Sequence, residues 1–329
     1  MQKSILTFAL LTALAACGGS GTNPFQTTEV DTGTGTGADE ESTTDFSKLT
    51  DDMRGVVFDP DAGTLSVDLT GLDQTNGQYP LAAYNRTPQL DVEGYLAFTY
   101  QDDPLDRHYT AFVAQDFART VQGAVASDGG QFNIYMSGST FIALEAFVNP
   151  TPSLTGSDNG LVSYAGHYAG VTNMGAVNEL LLEPTIEVYD GIPPRQTLTV
   201  QGQIFLNVDF GDNLINGIIY HREWGNTPLP HYTPTYDDEG YLPDIVLTVT
   251  SINDVGEFYG EAQNTAQKVI GNYGGVFGGA NAEGVAGGIF VEDHVGVENA
   301  DEYGVFVLTQ CGLTGDDPIC VTVNPDYGN

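Results

Sequence analysis

Haem and metal ligation need histidine or tyrosine side chains that converge in one pocket. This chain has five histidines, His108, His167, His221, His231 and His294. His231, Tyr232 and Tyr236 fall in one stretch that also holds Trp224 and Tyr241. They are the candidate ligand-binding residues, and haem is the cofactor such side chains could hold; the plainer alternative is an ordinary aromatic loop. Acid groups at Asp59-Pro60-Asp61 and Asp237-Asp238-Glu239 offer oxygen ligands but lack the spacing of a calcium loop, so solvated acids are the competing reading. Asp31-Thr32-Gly33 matches the aspartic-protease triplet. That chemistry needs two such loops sharing a proton, and here a single copy sits in a Gly/Thr-rich stretch. No zinc-protease, nucleophile-elbow or P-loop motif occurs. The chain is therefore read as non-enzymatic, with no resident metal.

Cysteine chemistry points to an address. Lys3 is followed by an apolar run from Ile5 to Ala16, too short to span a bilayer. The run ends Leu14-Ala15-Ala16-Cys17-Gly18. This resembles the lipobox of bacterial lipoproteins, in which cleavage before the cysteine frees it to carry lipid. The resemblance implies a signal peptide over 1–16 and membrane attachment through lipid on Cys17, stable because more than one acyl chain is added. Gly18 in place of Asp points to the outer membrane. Residues 17–50 are Gly-, Ser-, Thr- and acid-rich and bury too little apolar surface to offset chain entropy, which predicts a disordered tether. With Cys17 lipidated, Cys311 and Cys320 remain as one pair, and a disulfide between them is expected to pin a 313–329 tail. A metal pair is the alternative, but other soft ligands are missing nearby.

Charge narrows the partners. Acids number 44 against 9 Lys and Arg, a formal net charge of −35. Nucleic-acid binding needs a basic footprint, which is absent, and direct docking on anionic lipid is excluded for the same reason. The acids form either a solvated surface suited to salty water or a field that draws a cationic partner.

The elements that must position these residues are strands. After residue 50, short alternating runs rich in Val, Ile, Tyr, Phe and Thr are separated by Gly/Asp/Asn turns, and no long helical pattern occurs. The fold class is all-β. A smaller N-terminal β-domain is expected over 51–152, with strands near 54–58, 64–69, 92–101, 108–115, 120–126 and 131–137. Its clearest hairpin joins Val121–Ala126 to Gln131–Tyr135 through Ser127-Asp128-Gly129-Gly130. Pro and Gly clusters after Asn149 mark a boundary. Over 155–312, eight strands are predicted near 161–171, 199–210, 214–223, 244–252, 255–263, 271–278, 286–292 and 303–310. Eight antiparallel strands with glycine bends suit a closed barrel. Its interior should be filled by Ile204, Leu206, Val208 and Phe277. Polar residues such as Asn207, Asp209, Thr248 and Glu261 deny it the apolar band of a membrane-spanning barrel.

Three stretches carry a family resemblance. Gly202-Gln203-Ile204-Phe205-Leu206-Asn207-Val208-Asp209-Phe210, followed by Asn213 to Gly217, resembles a hairpin of the barrel domains in the transferrin-binding protein B family. Gly274-Gly275-Val276-Phe277-Gly278 with Ala282-Glu283-Gly284 resembles a second, and Tyr164 to Gly170 its first barrel strand. The likeness covers roughly 160–292. A Pro usual after the Phe-x-Gly is absent, and one barrel stands where that family's iron receptors have two lobes. The motif is structural, so Asp209 and Glu283 are expected to bond turn backbone rather than do chemistry.

The resemblance implies an outer-membrane surface lipoprotein that binds a protein or small ligand, with an iron-carrier protein or haem as partner. A structural, protective or adhesive surface protein is the reading from another class. The connections 173–198 and 224–243, with the N-terminal block, are the expected binding surface.

Overall fold

The structure, a computed structural model, describes residues 44–69, 81–130, 134–150, 160–177, 180–182 and 194–323. Cys17, Asp31-Thr32-Gly33 and residues 17–43 of the expected tether lie outside them. Alternation becomes a seven-stranded antiparallel meander of β1 (Met53–Asp59), β2 (Thr64–Leu69), β3 (Ala82–Arg86), β4 (Leu96–Tyr100), β5 (Tyr109–Gln115), β6 (Val121–Asp128) and β7 (Ser137–Ala143). It is followed by β8 (Leu161–Ala176), β9 (Gln196–Asp209), β10 (Leu214–Trp224), β11 (Ile245–Ser251), β12 (Glu257–Gln263), β13 (Val269–Gly278), β14 (Gly284–Glu292) and β15 (Asp301–Thr309). These eight close on themselves, β15 pairing with β8 through Val305↔Ala169 and its neighbours. The expected all-β fold with an eight-stranded barrel is what the chain adopts.

The barrel interior is a packed core. Ile204, Leu206, Val208 and Phe277 lie in it, as expected, with Tyr164, Tyr168, Phe258, Tyr273 and Phe306. Eight strands leave room for side chains and little more.

The seven-stranded sheet curls until its edges meet at one corner, where the Asp52 amide donates to the Ser137 carbonyl (3.1 Å). One face encloses Met53, Leu65, Val67, Tyr84 and Phe98. The other packs Phe112, Ala114 and Val125 onto Ala169, Val171, Tyr303 and Val305 of the barrel wall. Gly123 permits this approach, because a Cβ there would sit 2.7 Å from a Val305 methyl. The described residues belong to one compact unit.

Three local readings change. First, the partner of β6 is Ser137–Ala143, with Ser127↔Ser137 and Val121↔Ala143, rather than Gln131–Tyr135. Asp128 closes a longer excursion instead of a tight turn: its Oδ1 accepts from the Gly130 and Met136 amides (3.1 and 3.0 Å), and its other oxygen pairs with Arg107. Second, β3 was not expected. Its sequence Ala82-Ala83-Tyr84-Asn85-Arg86 alternates weakly, and pairing with Leu65 and Val67 supplies what the pattern lacks. Third, residues 44–50 are ordered rather than tether. Phe46 meets Phe141 edge-on (4.9 Å between centroids), and Leu49 is fully buried in the short helix α1 (Ser47–Thr50).

The C-terminal segment is pinned as expected. Cys311 and Cys320 form a disulfide with Cα atoms 5.5 Å apart. It holds helix α2 (Ile319–Val323) against Ala165 and Phe205 on the outer wall.

Candidate functional site

An up-and-down meander sorts its connections by end. The connections β8–β9, β10–β11, β12–β13 and β14–β15 leave and re-enter the barrel at one end, and 210–213, 252–256 and 279–283 lie at the other. Both long connections of the barrel therefore share one end, the upper end below. The lower end is sealed by the segment leading out of the sheet. Phe147 packs on Phe210 and Phe277 (6.1 and 6.0 Å between centroids), and the Val148 amide donates to the Gly279 carbonyl (3.1 Å). Asp209 bonds its own turn there, accepting from the Gly211 and Asp212 amides (2.9 and 3.1 Å). The N-terminal segment also starts at this end, where Asn253 Nδ2 donates to Thr44 Oγ1 (3.3 Å).

At the upper end, 225–244 folds back across the mouth as a lid. Asn226 stands in for a strand neighbour, its Oδ1 accepting from the Thr199 amide (2.9 Å) and its Nδ2 donating to the Thr197 carbonyl (2.9 Å). The Val177 amide bonds the Thr227 carbonyl (2.8 Å), and the Thr235 amide bonds the Val295 carbonyl across the mouth (2.7 Å). Asp237 Oδ1 caps a turn through the Glu239 and Tyr241 amides. Asp59 does the same for Asp61 and Ala62, so each acid cluster has one member committed to backbone.

All three predicted ligand residues sit in this lid, but they do not converge. Tyr232 lends its hydroxyl to the Gly175 amide (3.0 Å) and so anchors the lid. The His231 ring lies tilted against Tyr232 (4.1 Å between centroids) and faces solvent. Tyr236, 46% exposed, accepts from Trp224 Nε1 (3.1 Å). His221 lies tilted against Tyr241 (4.7 Å between centroids). The result is an aromatic band in which His221, His231 and Tyr236 are exposed and Trp224, Tyr232 and Tyr241 are half-buried, bordered by Asp237, Asp238 and Glu239, all exposed. A groove of about 230 Å³ lies elsewhere, at the lower edge of the seven-stranded sheet between Phe58, Leu96, Val113 and Phe117.

Beneath the lid lies a charged cluster that sequence reasoning missed. In β10 the register slips between Tyr220 and Glu223, and His221 takes a left-handed backbone (φ 47°). A bulge of this kind re-aims a side chain. Ile215 and Ile219 point inward by alternation, and the extra residue turns Arg222 inward as well, leaving it 0% exposed. Its Nη2 donates to Glu302 Oε2 (2.6 Å) and its Nη1 to the Pro243 carbonyl at the base of the lid (2.5 Å). His294, from the 293–300 connection, places Nε2 2.8 Å from the same Glu302 oxygen, and Tyr168 donates its hydroxyl to Glu302 Oε1 (2.8 Å). Glycines make room. A Cβ on Gly304 would lie 1.9 Å from the Tyr168 hydroxyl, and one on Gly202 2.9 Å from Arg222 Cγ.

Burial alone would raise the Glu302 carboxyl, but the adjacent Arg222 and His294 bring it down to about 2. Burial pushes the His294 imidazole below its ordinary value, against the pull of Glu302. The cluster is a net-neutral clasp joining lid, connection and three strands. Glu302 had a legible signal, since it shares the inward phase of Gly304, Phe306 and Leu308. Arg222 had none, because a bulge breaks the alternation that would locate it.

No family model matches the chain, and no curated protein does. Solved structures do, at low identity. A transferrin-binding protein B double mutant from Haemophilus parasuis Hp5 is 12% identical with a TM-score of 0.37, over 70% of this chain and 39% of that one. Isotype 1 transferrin-binding protein B from serogroup B Neisseria meningitidis is 12% identical with a TM-score of 0.33, over 77% and 50%. A protein described as a surface lipoprotein is 15% identical with a TM-score of 0.33, over 78% and 96%. This chain thus spans half or less of those two transferrin-binding proteins, and a likeness this distant transfers neither ligand nor residue.

Proposed function

We propose that this chain is a non-enzymatic surface lipoprotein that binds its partner on the lid end of the barrel. The observation that carries the reading is the opposition of two ends. The aromatic lid closes the upper end, and Thr44, the first described residue, contacts Asn253 at the lower one. If Cys17 is lipidated and the expected tether behaves as a flexible chain, it would span roughly 30 Å up to Thr44. That would hold the body off the membrane by the end away from the lid.

The lid offers what protein interfaces use. Trp and Tyr are the usual anchors of binding energy, and Trp224, Tyr236 and Tyr241 are grouped there. The surrounding Asp237, Asp238 and Glu239, on a chain of net charge −35, favour a basic partner and speed its encounter. The barrel wall does not suit lipid. Part of it is covered by the seven-stranded sheet, and Gln201, Gln203 and Glu261 lie on the rest.

Within this reading an iron-carrier protein is the first partner to test and haem the second, because transferrin appears in the names of structures the chain resembles. The experiment immobilises the mature chain and applies iron-loaded transferrin, then haem followed by its absorption spectrum. Saturable binding of either supports iron acquisition. If neither binds, the structural or adhesive reading takes its place.

A further inference from the structure

We propose that the Arg222–Glu302–His294 clasp makes the lid pH-responsive, closed near neutral pH and released when the medium acidifies. This adds regulation to the proposed binding face and rests on that reading only for its biological meaning.

Opposite a carboxylate, the geometry selects the tautomer of the neutral ring. His294 Nε2 lies 2.8 Å from Glu302 Oε2, so the neutral ring carries its proton on Nε2 and donates it to the carboxylate. The Nδ1 atom is then the unprotonated acceptor. It is buried and has no hydrogen-bond partner among the described residues. A second proton would have to go onto Nδ1, where no acceptor waits. It would also create an imidazolium whose Nε2 is 3.0 Å from Arg222 Nη2. The cluster would change from neutral to a net positive charge inside an apolar barrel, which is costly without a new counter-charge.

The other groups facing the ring do not remove that cost. Glu302 already serves Arg222 and Tyr168. Asp301, next on the same strand, attracts the ring but shares its Oδ2 between Tyr135 and Asn173. Asp244, at the foot of the lid, is raised by burial. Its protonation in acid would oppose opening, and so would that of Asp301, which burial also raises.

An open lid lets the imidazole reach water and take its proton at the ordinary value near 6.5. The sign follows. A histidine whose closed-state value lies below its open-state value favours the closed form at high pH. That preference is lost as pH falls through the open-state value. A ring that protonates only when open shifts the equilibrium at most about thirtyfold between pH 8 and pH 5. The clasp is placed to transmit this, since Arg222 holds Pro243 at the lid base and His294 adjoins Val295, which bonds Thr235 across the mouth.

The test is hydrogen exchange of the full mature chain at pH 8 and pH 5, corrected for intrinsic rates, without any partner. Peptides covering 225–244 and 293–300 should lose protection by about ten- to thirtyfold in acid, while barrel strands such as 204–208 change less than threefold. His294→Gln keeps an amide N–H for Glu302 and should abolish the response. Lid protection independent of pH in the wild type, or an unchanged response in His294→Gln, overturns the proposal. Should that variant not fold, NMR of labelled histidine in the wild type decides. A His294 midpoint that coincides with lid opening supports the proposal, and one that passes with no change in lid exchange refutes it. Because no partner is used, failure to bind transferrin or haem leaves this outcome separate.

Discussion

Glu302→Gln should be among the most damaging single substitutions in the barrel. Glu302 is fully buried and balances the equally buried Arg222. Its carboxyl is brought from the usual 4.5 to about 2, which corresponds to about 3 kcal/mol favouring the charged form in the fold. Since the folded value is depressed, that stability is present above pH 4.5 and is lost as pH falls from there toward 2. Removing one partner of a buried pair costs about 3–5 kcal/mol, because the remaining charge is stranded, and the two routes agree. Urea unfolding at pH 7.5 reads the cost. The chain has a single tryptophan, Trp224, two residues from Arg222, so its fluorescence reports on this region, and circular dichroism must give the same midpoint for two-state treatment. The double variant Arg222→Met/Glu302→Gln should recover part of the loss, since it strands no charge. A loss under about 1 kcal/mol in the single variant, or a double variant no more stable than the single, would refute the reasoning.

Other outcomes follow from the same packing. Asp52 is raised to about 6, first by burial and then by repulsion from Asp51, so its contribution is greatest below pH 3.8 and is lost as pH rises through 6. Asp52→Asn should therefore stabilise the chain at pH 7.5 by about 1 kcal/mol, discounted because the group is half exposed, and flatten the pH dependence of its melting temperature between 4 and 7. Gly287→Ala should cost about 1–3 kcal/mol or prevent folding, because its Cβ would lie 2.2 Å from the Phe306 ring and 2.3 Å from the Gly274 carbonyl; a melting temperature equal to wild type counts against the close strand approach. Replacing both Cys311 and Cys320 by Ser should cost about 2.5 kcal/mol on the chain-entropy view and loosen α2, read as protease cleavage within 313–323; unchanged stability and cleavage would assign the disulfide no structural role. Cys17→Ala should move the protein from the membrane to the soluble fraction, and continued membrane partitioning would place the anchor elsewhere.

The barrel was legible because its signals are local and repeated. Alternation in Ile204, Leu206 and Val208, and turns such as Gly211-Asp212-Asn213, placed all eight strands close to where they lie. Where one side chain serves a distant partner, the local signal failed. Asp128 was read as a hairpin turn residue but caps a longer loop and pairs with Arg107. Phe46 and Leu49 sit in a polar stretch whose composition hides two core residues. The predicted aromatics do share one loop, yet Tyr232 is consumed in anchoring it, a role that only the position of Gly175 reveals. The clasp depends on a bulge, and strict period-two reading has no place for one.

The account stands or falls on whether the lid is the binding face. Binding of iron-loaded transferrin to cells displaying the full chain should be measured for wild type and for Trp224→Ala/Tyr236→Ala, with protein levels and melting temperatures matched. Loss of two aromatic anchors predicts at least a tenfold weaker affinity. Undiminished binding by the variant would place the site elsewhere, and no binding by the wild type would contradict the iron-carrier reading.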